Sequence, residues 1–511
     1  MKHIPGCLIQ IHYHNRHGGV RRVIEGYARA FREIVKDDTV TYLICHDCYL
    51  ESSDGIKIID IPECDYFDLT DIRSYYNLKN ILIRKISEIL KSEAIQFPAL
   101  VIGHNLNLCK NLSLSSAFTE LSLEYRHFSF FSVMHDFAEE GRIELLDKIN
   151  ELENAGISVR DELYHKNGLV NLVVPGNNAF SILQRCGFET MQLANPVFCP
   201  KSKKTVEKDA AKRYLQIYAE KMGMSFNFDK PVFTYPVRII PRKNIFEAIA
   251  LVTVLNSGNL LTGTYGGSAR SRSVFNHAYL LVKEFKLPVI FDIFKVIKEK
   301  WKDSAPVELL YEISDSVLST SVMEGFGYAL YEPWFYDCMI TGRIPRGGGG
   351  YPSFMDTSSF YSRFPIPEDW ISIKLLREKY SIKYSKYYTK QHFSGFLDSF
   401  IIDGTVDFGF LDEEMQFKII KNVLKDEKMK STWQQLLDQK LAGWPGFKEL
   451  NSQDFAIYCK NREKIESEFS LSNFQKLFYS CFTQPSQRNT SDWDYSCILE
   501  EFQKRGLLLL V

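Results

Sequence analysis

Two carboxylates, Glu324 and Glu332, bracket a Gly325-Phe326-Gly327 turn that follows the apolar run Ser316–Ser321. Carboxylates accept hydrogen bonds from vicinal diols, and glycines let a backbone approach a ligand closely, so this stretch suits a sugar or a nucleotide. The same pair would also serve as the acid and base of a hydrolase, or as capping acids at a helix start. Upstream, Arg238, Arg242 and Lys243 follow the apolar run Val232–Val237 and precede helical spacing at Ile245, Ala248, Ile249, Val252 and Leu255. A lone basic turn is usually solvated surface. At a strand's carboxyl end, beside the free N–H groups of a helix start, it becomes a diphosphate site.

Other polar groups offer little for metal or redox chemistry. His12, His14 and His17 crowd one loop, but no carboxylate or thiol stands at matching spacing, so loop or acceptor roles are expected of them. Cys45-His-Asp-Cys48 has no second pair to complete a zinc set. The D-x-D of the chain, Asp492-Trp-Asp494, lies in the C-terminal tail and reads as surface. No metal requirement is expected.

These groups need a scaffold that brings strand ends together. Cys7–Tyr13 reads as a strand, His14–Gly19 as a glycine loop, and Val20, Val23, Ile24, Tyr27, Ala28, Phe31 and Ile34 as the buried stripe of a helix. Short apolar runs at Val40–Cys45, Ala99–Gly103, Phe128–Val133 and Leu169–Val174 alternate with helical patterns such as Leu112–Leu123. A second series follows at Val232–Val237, Asn259–Tyr265, Pro288–Ile293, Ser316–Ser321 and Cys338–Thr341. Strands alternating with helices imply an α/β protein of two doubly wound, Rossmann-like domains facing a central cleft. We place the N-terminal domain at 1–195, a lysine-rich linker at 196–230, the second domain at 231–455 and a helical segment at 456–511 packing back on the first. After Arg343, the Gly347–Gly350 run and Tyr351–Tyr388 read as a loop-rich insertion.

Composition narrows the function further. The chain has 511 residues and a formal charge of −1, which removes the electrostatic case for a general nucleic-acid binder. No apolar run approaches the roughly 18 residues of a membrane span, and the N-terminus lacks a cleavable leader pattern, so a cytoplasmic protein is expected. Eleven cysteines scattered singly point to reduced thiols.

Arg238 and Lys243, followed by Glu324 and Glu332 around Gly-Phe-Gly, resemble the motif of retaining glycosyltransferases of family 4, which have the GT-B fold. The Gly18-Gly19-Val20 loop resembles that family's first glycine loop, Ser314–Ser321 the strand leading to its glutamates, and Asn195-Pro-Val its interdomain crossing. The resemblance runs from about Gly6 to Arg343 and returns at Asn461–Leu477. It implies a nucleotide diphosphate sugar as donor, a hydroxyl acceptor and no further cofactor. Arg238 and Lys243 would neutralise the diphosphate, Glu324 and the amides of Gly325, Phe326 and Gly327 would hold the sugar, Glu332 the ribose, and Gly18 and Gly19 would close over the phosphates. His135 matches a donor-facing histidine, against the plain alternative of a strand-end histidine satisfied by backbone. Asp136, with His104, Asn105, Asn107, Lys110 and Asn111 at another strand end, would face the acceptor, against the alternative of an asparagine-capped helix start. The chain departs from the family in having Val237 where a glycine usually precedes the arginine, and in its long insertion.

The resulting expectation is sugar transfer with retention by a metal-independent front-face route. Rival readings are a sugar phosphorylase or epimerase of the same fold, and an inactive sugar-binding homologue.

Overall fold

The computed structural model describes residues 6–16, 18–35, 40–46, 55–69, 71–92, 95, 98–197, 206–302, 306–336, 338–346, 351–352, 354–358, 360–387, 395–441, 452–483 and 493–504. His17, Cys48, Gly347–Gly350 and Asp492, singled out above, lie outside them. The chain divides into two compact units, one of Met1–Phe198 with Ser467–Leu508, the other centred on Cys199–Glu466.

The first unit is built on a parallel sheet of β1 (Cys7–His14), β2 (Thr41–His46), β3 (Ile56–Asp60), β4 (Ala99–His104), β5 (Ser129–Val133), β6 (Val170–Val174) and β7 (Thr190–Gln192). Their order is β3-β2-β1-β4-β5-β6-β7. The strands are apolar almost throughout because helices cover both faces. On one face, Leu78, Leu82, Ile86 and Leu90 of helix Ile72–Leu90 pack with Leu114, Ala117, Phe118 and Leu121 of helix Leu112–Glu124 against Ile9, Ile11, Val101 and Phe130. On the other, Ile24 and Ala28 of helix Gly19–Val35 meet Leu43, Cys45 and Ile56. The direction of strand order reverses between β1 and β4, which opens a crevice at their carboxyl ends.

The C-terminal helix Leu471–Phe482 belongs to this unit: Tyr27 meets Phe474, Phe478 and Phe482 with ring centroids 5.5, 5.4 and 5.8 Å away. Here the structure corrects one reading. Cys186, at the end of helix Asn177–Arg185, forms a disulfide with Cys497 of helix Tyr495–Lys504, across 311 residues. Phe188 stacks on Trp493 beside it, so packing of distant segments creates the pairing and sequence spacing carries no hint of it.

The second unit holds β8 (Val232–Tyr235), β9 (Asn259–Thr262), β10 (Val289–Ile290), β11 (Ser316–Ser319) and β12 (Met339–Gly342) in the parallel order β10-β9-β8-β11-β12. Its reversal lies between β8 and β11. The stretch read as linker contains helix Lys208–Lys221, whose Ala211, Leu215 and Ala219 recur at helical spacing and are buried. Lysines on the outer face masked that stripe. The insertion also has structure: β13 (Pro365–Pro367), β14 (Ile401–Ile402) and β15 (Thr405–Asp407) form a small antiparallel sheet. Helix Ile373–Tyr384 lies beside it in sequence, with Leu376, Tyr380 and Tyr384 buried four residues apart. Its buried stripe is largely tyrosine, which hid the period.

Candidate active site

The basic turn and the acidic turn leave adjacent strands at the reversal of the second sheet. After β8 the chain reaches Pro241–Lys243, a single 3₁₀ turn, and then helix Ile245–Val254. After β11 it runs through Thr320 and Ser321 to Glu324. Backbone and side chain stitch the two segments together. Val322 N–H donates to Arg242 O at 2.9 Å, the Thr320 hydroxyl donates to Asn244 O at 3.0 Å, and the Tyr235 hydroxyl donates to Lys243 O at 2.9 Å.

The pairing of side chains follows from that stitching. Lys243 Nζ donates to Glu324 Oε1, which also accepts from the Ser321 hydroxyl at 2.6 Å, and Arg242 NH1 reaches Glu324 Oε2 at 3.1 Å and Met323 O at 3.0 Å. Glu324 is 4% exposed and Lys243 9%, so the charges are desolvated and must neutralise one another. Burial pushes Lys243 down to about 8, with Arg242 and Arg238 adding to the shift and Glu324 opposing it. Burial also opposes ionisation of Glu324, but Lys243 and Arg242 outweigh it and hold the carboxyl below its usual range. Near neutral pH the pair is ionised. An ammonium has three donors, so Lys243 keeps capacity for a second anion after meeting Glu324. Arg238 is exposed, within electrostatic range of Lys243.

Gly327 has to be glycine: its φ is +69°, and a Cβ there would stand 3.3 Å from the Glu324 carboxyl carbon. Phe326 is buried and stacks on Tyr331 at 4.2 Å, which fixes the loop around Gly325. Two 3₁₀ turns, Tyr328–Leu330 and Glu332–Tyr336, follow this loop, so the carboxylates cap no α-helix there. Glu332, 6% exposed, accepts from the Tyr311 hydroxyl at 3.2 Å.

Sequence reasoning left three groups out of this site. Ser321 and Tyr235 bind its members directly, as described. Tyr351 comes from the insertion, and its phenol is pushed well up by burial and by the charge of Glu324, within whose electrostatic range it lies. Arg242, read from the sequence as part of the basic turn, turns its guanidinium onto Glu324.

A second layer braces the turn. Asn244, left-handed at φ +52°, donates to Glu247 Oε2 at 2.6 Å and accepts from Gln416 at 2.9 Å. Glu247 in turn pairs with Arg343 at 2.7 Å, and Arg343 pairs with Asp407 at 2.7 Å. Arg343 and Glu247 are 0% exposed and Asp407 1%. The insertion therefore buttresses the basic turn from behind.

In the first unit, Gln10, His12, His104 and His135 gather at the reversal between β1 and β4. Gln10 Nε2 donates to Ile24 O at 3.0 Å, which turns its Oε1 toward His104 Nε2, 2.9 Å away. His104 Nε2 is then the protonated nitrogen, and its bare Nδ1 accepts from His135 Nε2 at 3.3 Å. His135 is left with an unprotonated, buried Nδ1 that meets no hydrogen-bond partner among the described residues, with the Asn195 side chain acting on the ring from longer range. Burial pushes His135 down to about 4 against the opposing pull of Asp136 and Asn195, and burial with His135 and His12 holds His104 well below the usual range. His12 is lowered to about 3 by burial and His14, and donates to His104 O at 2.9 Å.

The remaining first-unit residues divide into braces and open groups. His104 is fully buried and orients His135. Asn105 Oδ1 accepts from His135 N at 2.8 Å and Asp136 N at 3.2 Å, while Asn107 donates to Asp136 O at 2.7 Å. Asp136 pairs with Arg142 at 2.6 Å. Asn111 caps helix Leu112–Glu124 through Leu114 N at 3.1 Å and donates to Glu63 O and Asp65 O, both at 2.9 Å. Its side chain is thus a cap and a tie. Lys110 remains open and half-buried. Among the described residues Gly18 has no atom within 4 Å of where a Cβ would sit, and Gly19 begins its helix, whose first N–H groups lack intrahelical partners. Asp494 of the D-x-D is spent on capping helix Tyr495–Lys504, accepting from Ser496 N at 3.0 Å and Cys497 N at 3.1 Å.

No protein-family model matches the chain. It is similar to mannosylglucosyl-3-phosphoglycerate synthase of Petrotoga mobilis, 26% identical over 431 residues that make up 80% of this chain and 79% of that one. Among solved structures it resembles sucrose-phosphate synthase from Thermosynechococcus elongatus, with a TM-score of 0.53, 11% identity and coverage of 93% of this chain and 98% of that one. It also resembles the catalytic domain of starch synthase IV from Arabidopsis thaliana bound to ADP and acarbose, with a TM-score of 0.51, 10% identity and coverage of 94% and 99%. Anabaena HepE in complex with UDP-glucose gives a TM-score of 0.50, 11% identity and coverage of 93% and 98%. With two Rossmann-like units on parallel sheets, the chain has the GT-B fold of glycosyltransferases.

Proposed function

We propose that the protein is a retaining glycosyltransferase of the family 4 type that moves a sugar from a nucleotide diphosphate donor to a hydroxyl acceptor. The observation that carries this reading is the buried set of Lys243, Arg242 and Glu324 at the strand-order reversal of the second sheet, where doubly wound sheets bind ligands. The similarity to a synthase of mannosylglucosyl-3-phosphoglycerate supports sugar transfer and points to an acceptor carrying phosphoglycerate.

Lys243 and Arg238 receive the diphosphate, and the charge that grows on it as the glycosidic bond breaks strengthens those contacts in the transition state. Glu324, pinned at both oxygens, is a rigid acceptor for a donor-sugar hydroxyl, and Glu332 is assigned to the ribose. In the front-face step the acceptor oxygen bonds to the anomeric carbon on the side from which the phosphate leaves. The acceptor's proton passes to the departing phosphate oxygen. Arg242 acts as a positioning residue for Glu324, and His135 offers its bare Nδ1 to a hydroxyl. The step calls on no metal and no further cofactor. A cytoplasmic location would suit a nucleotide-sugar substrate.

The test is a thermal-shift screen of UDP, GDP and ADP sugars, since a ligand of the native state raises apparent stability by mass action. Stabilisation by one nucleotide class, with release of its diphosphate when acceptor is added, is expected. Turnover that needs inorganic phosphate and no nucleotide would instead identify a phosphorylase.

A further inference from the structure

The first unit carries a cationic cluster that the donor chemistry does not use. Tyr66, 48% exposed in the loop after β3, is flanked by residues from the ends of β1 and β4. His14 lies 4.9 Å from its ring, the Arg16 guanidinium 5.6 Å and the Lys110 ammonium 5.2 Å. Arg16 is countered by Asp65 at 2.5 Å, Lys148 by Asp68 at 2.7 Å, and Arg142 by Asp136 at 2.6 Å. Lys110 differs. It is half-buried, forms no ion pair among the described residues, and feels Arg142 and Lys148 as like charges, with Glu144 and Asp68 opposing them more weakly.

A half-buried ammonium of this kind is costly unless a counter-charge arrives. Burial, with repulsion from Arg142 and Lys148, lowers its proton affinity. An incoming anion would relieve both effects. Asp68, 99% exposed, pairs with Lys148 rather than with Lys110. The cluster lies at the carboxyl ends of β1 and β4, where their reversal opens the ligand crevice of this sheet.

We propose that Lys110, with Arg16 beside the Tyr66 ring, seats an anionic group, phosphate or carboxylate, of the sugar acceptor. The proposal deepens the transferase reading and rests on it for the word acceptor. A neutral sugar would leave Lys110 unpaired. A phosphorylated or carboxylated acceptor meets one free ammonium and one guanidinium that can rotate from Asp65, at an aromatic surface that shields the contact from water.

Calorimetric titration of the full chain with 3-phosphoglycerate, D-glycerate and glycerol tests this directly. Either anion should bind at least about tenfold more tightly than glycerol, and Lys110→Gln should weaken that binding on the order of tenfold while Lys110→Arg restores most of it. Arg16→Gln, on a more exposed side chain, gives a second variant should Lys110→Gln fail to fold. Equal affinity for glycerol and the anions overturns the proposal, as do both Gln variants titrating like the parent. The titration reads anion binding without sugar transfer, whereas consumption of nucleotide sugar by the same preparation decides the transferase reading separately.

Discussion

His104 Nδ1 lies 3.3 Å from His135 Nε2, with the two rings parallel to within 5°. Because Ile24 fixes the Gln10 amide and Gln10 fixes the His104 tautomer, proton placement on His135 is decided by a backbone carbonyl two residues removed along the chain of hydrogen bonds. His135 is thereby a neutral acceptor, unable to serve as an acid.

The first prediction concerns that tautomer. Nitrogen-15 NMR of the histidine rings should show His135 with a bare Nδ1 and a protonated Nε2 from about pH 5 to 8, since its pKa is pushed to about 4. Gln10→Leu should release the order and populate the other tautomer. A doubly protonated His135 at pH 6 would contradict the relay.

A pH dependence follows from Lys243. The group is charged below about pH 8 and neutral above it, so a diphosphate that needs the ammonium should bind with constant affinity below that value and about tenfold more weakly for each further pH unit. Binding near pH 8 should take up protons, because the anion favours the charged lysine. Titrations of nucleoside diphosphate in buffers of different ionisation enthalpy read both. Affinity that is flat to pH 10 would remove Lys243 from the phosphate site.

Breaking the Arg343 brace should be costly. Arg343→Met leaves Glu247 as a buried carboxylate without its cation and Asp407 with Arg346 alone, 3.6 Å away, for which about 3–5 kcal/mol is expected. Urea unfolding measures the loss. Nucleotide affinity should fall too, because Glu247 orients Asn244 at the end of the basic turn. A variant with parental stability would show the network to be dispensable.

The Cys186–Cys497 link ties the last helix to the first unit. Closing so long a loop stabilises by up to about 5 kcal/mol in the chain-entropy view. Cys497→Ser, or reduction, should therefore lower the melting temperature by several degrees and loosen Phe188, Trp493 and Tyr495, read by tryptophan emission. Free-thiol counting on the unfolded chain checks whether the bond is present in the protein as isolated.

How far the sequence reaches depends on where the information lies. The strand-helix alternation was legible because sheets covered on both faces demand largely apolar runs such as Ala99–Gly103. The meeting of Lys243 and Glu324 followed from both lying at strand ends, once β8 and β11 were neighbours. Helix Lys208–Lys221 was concealed by lysines on its exposed face, and helix Ile373–Tyr384 by a buried stripe of tyrosine. Arg343 with Asp407 and Cys186 with Cys497 are pairings across long stretches of chain, which no local pattern encodes. His104, Asn105 and Asn111 lie at the expected strand ends but turn inward, since a buried strand end must satisfy its own polar groups before it can offer any to a ligand.

The central claim is that Lys243 and Glu324 transfer a sugar from a nucleotide. Phosphorus and proton NMR of one reaction, containing the purified protein, the nucleotide sugar chosen by thermal shift and a phosphoglycerate-bearing sugar acceptor, follows donor loss and the anomeric signal of the product together. Release of nucleoside diphosphate in step with a product of retained configuration is expected, with a loss of at least about a hundredfold in rate for Lys243→Ala and Glu324→Ala, both still folded. Inverted product, or near-parental rates in either variant, would contradict that claim.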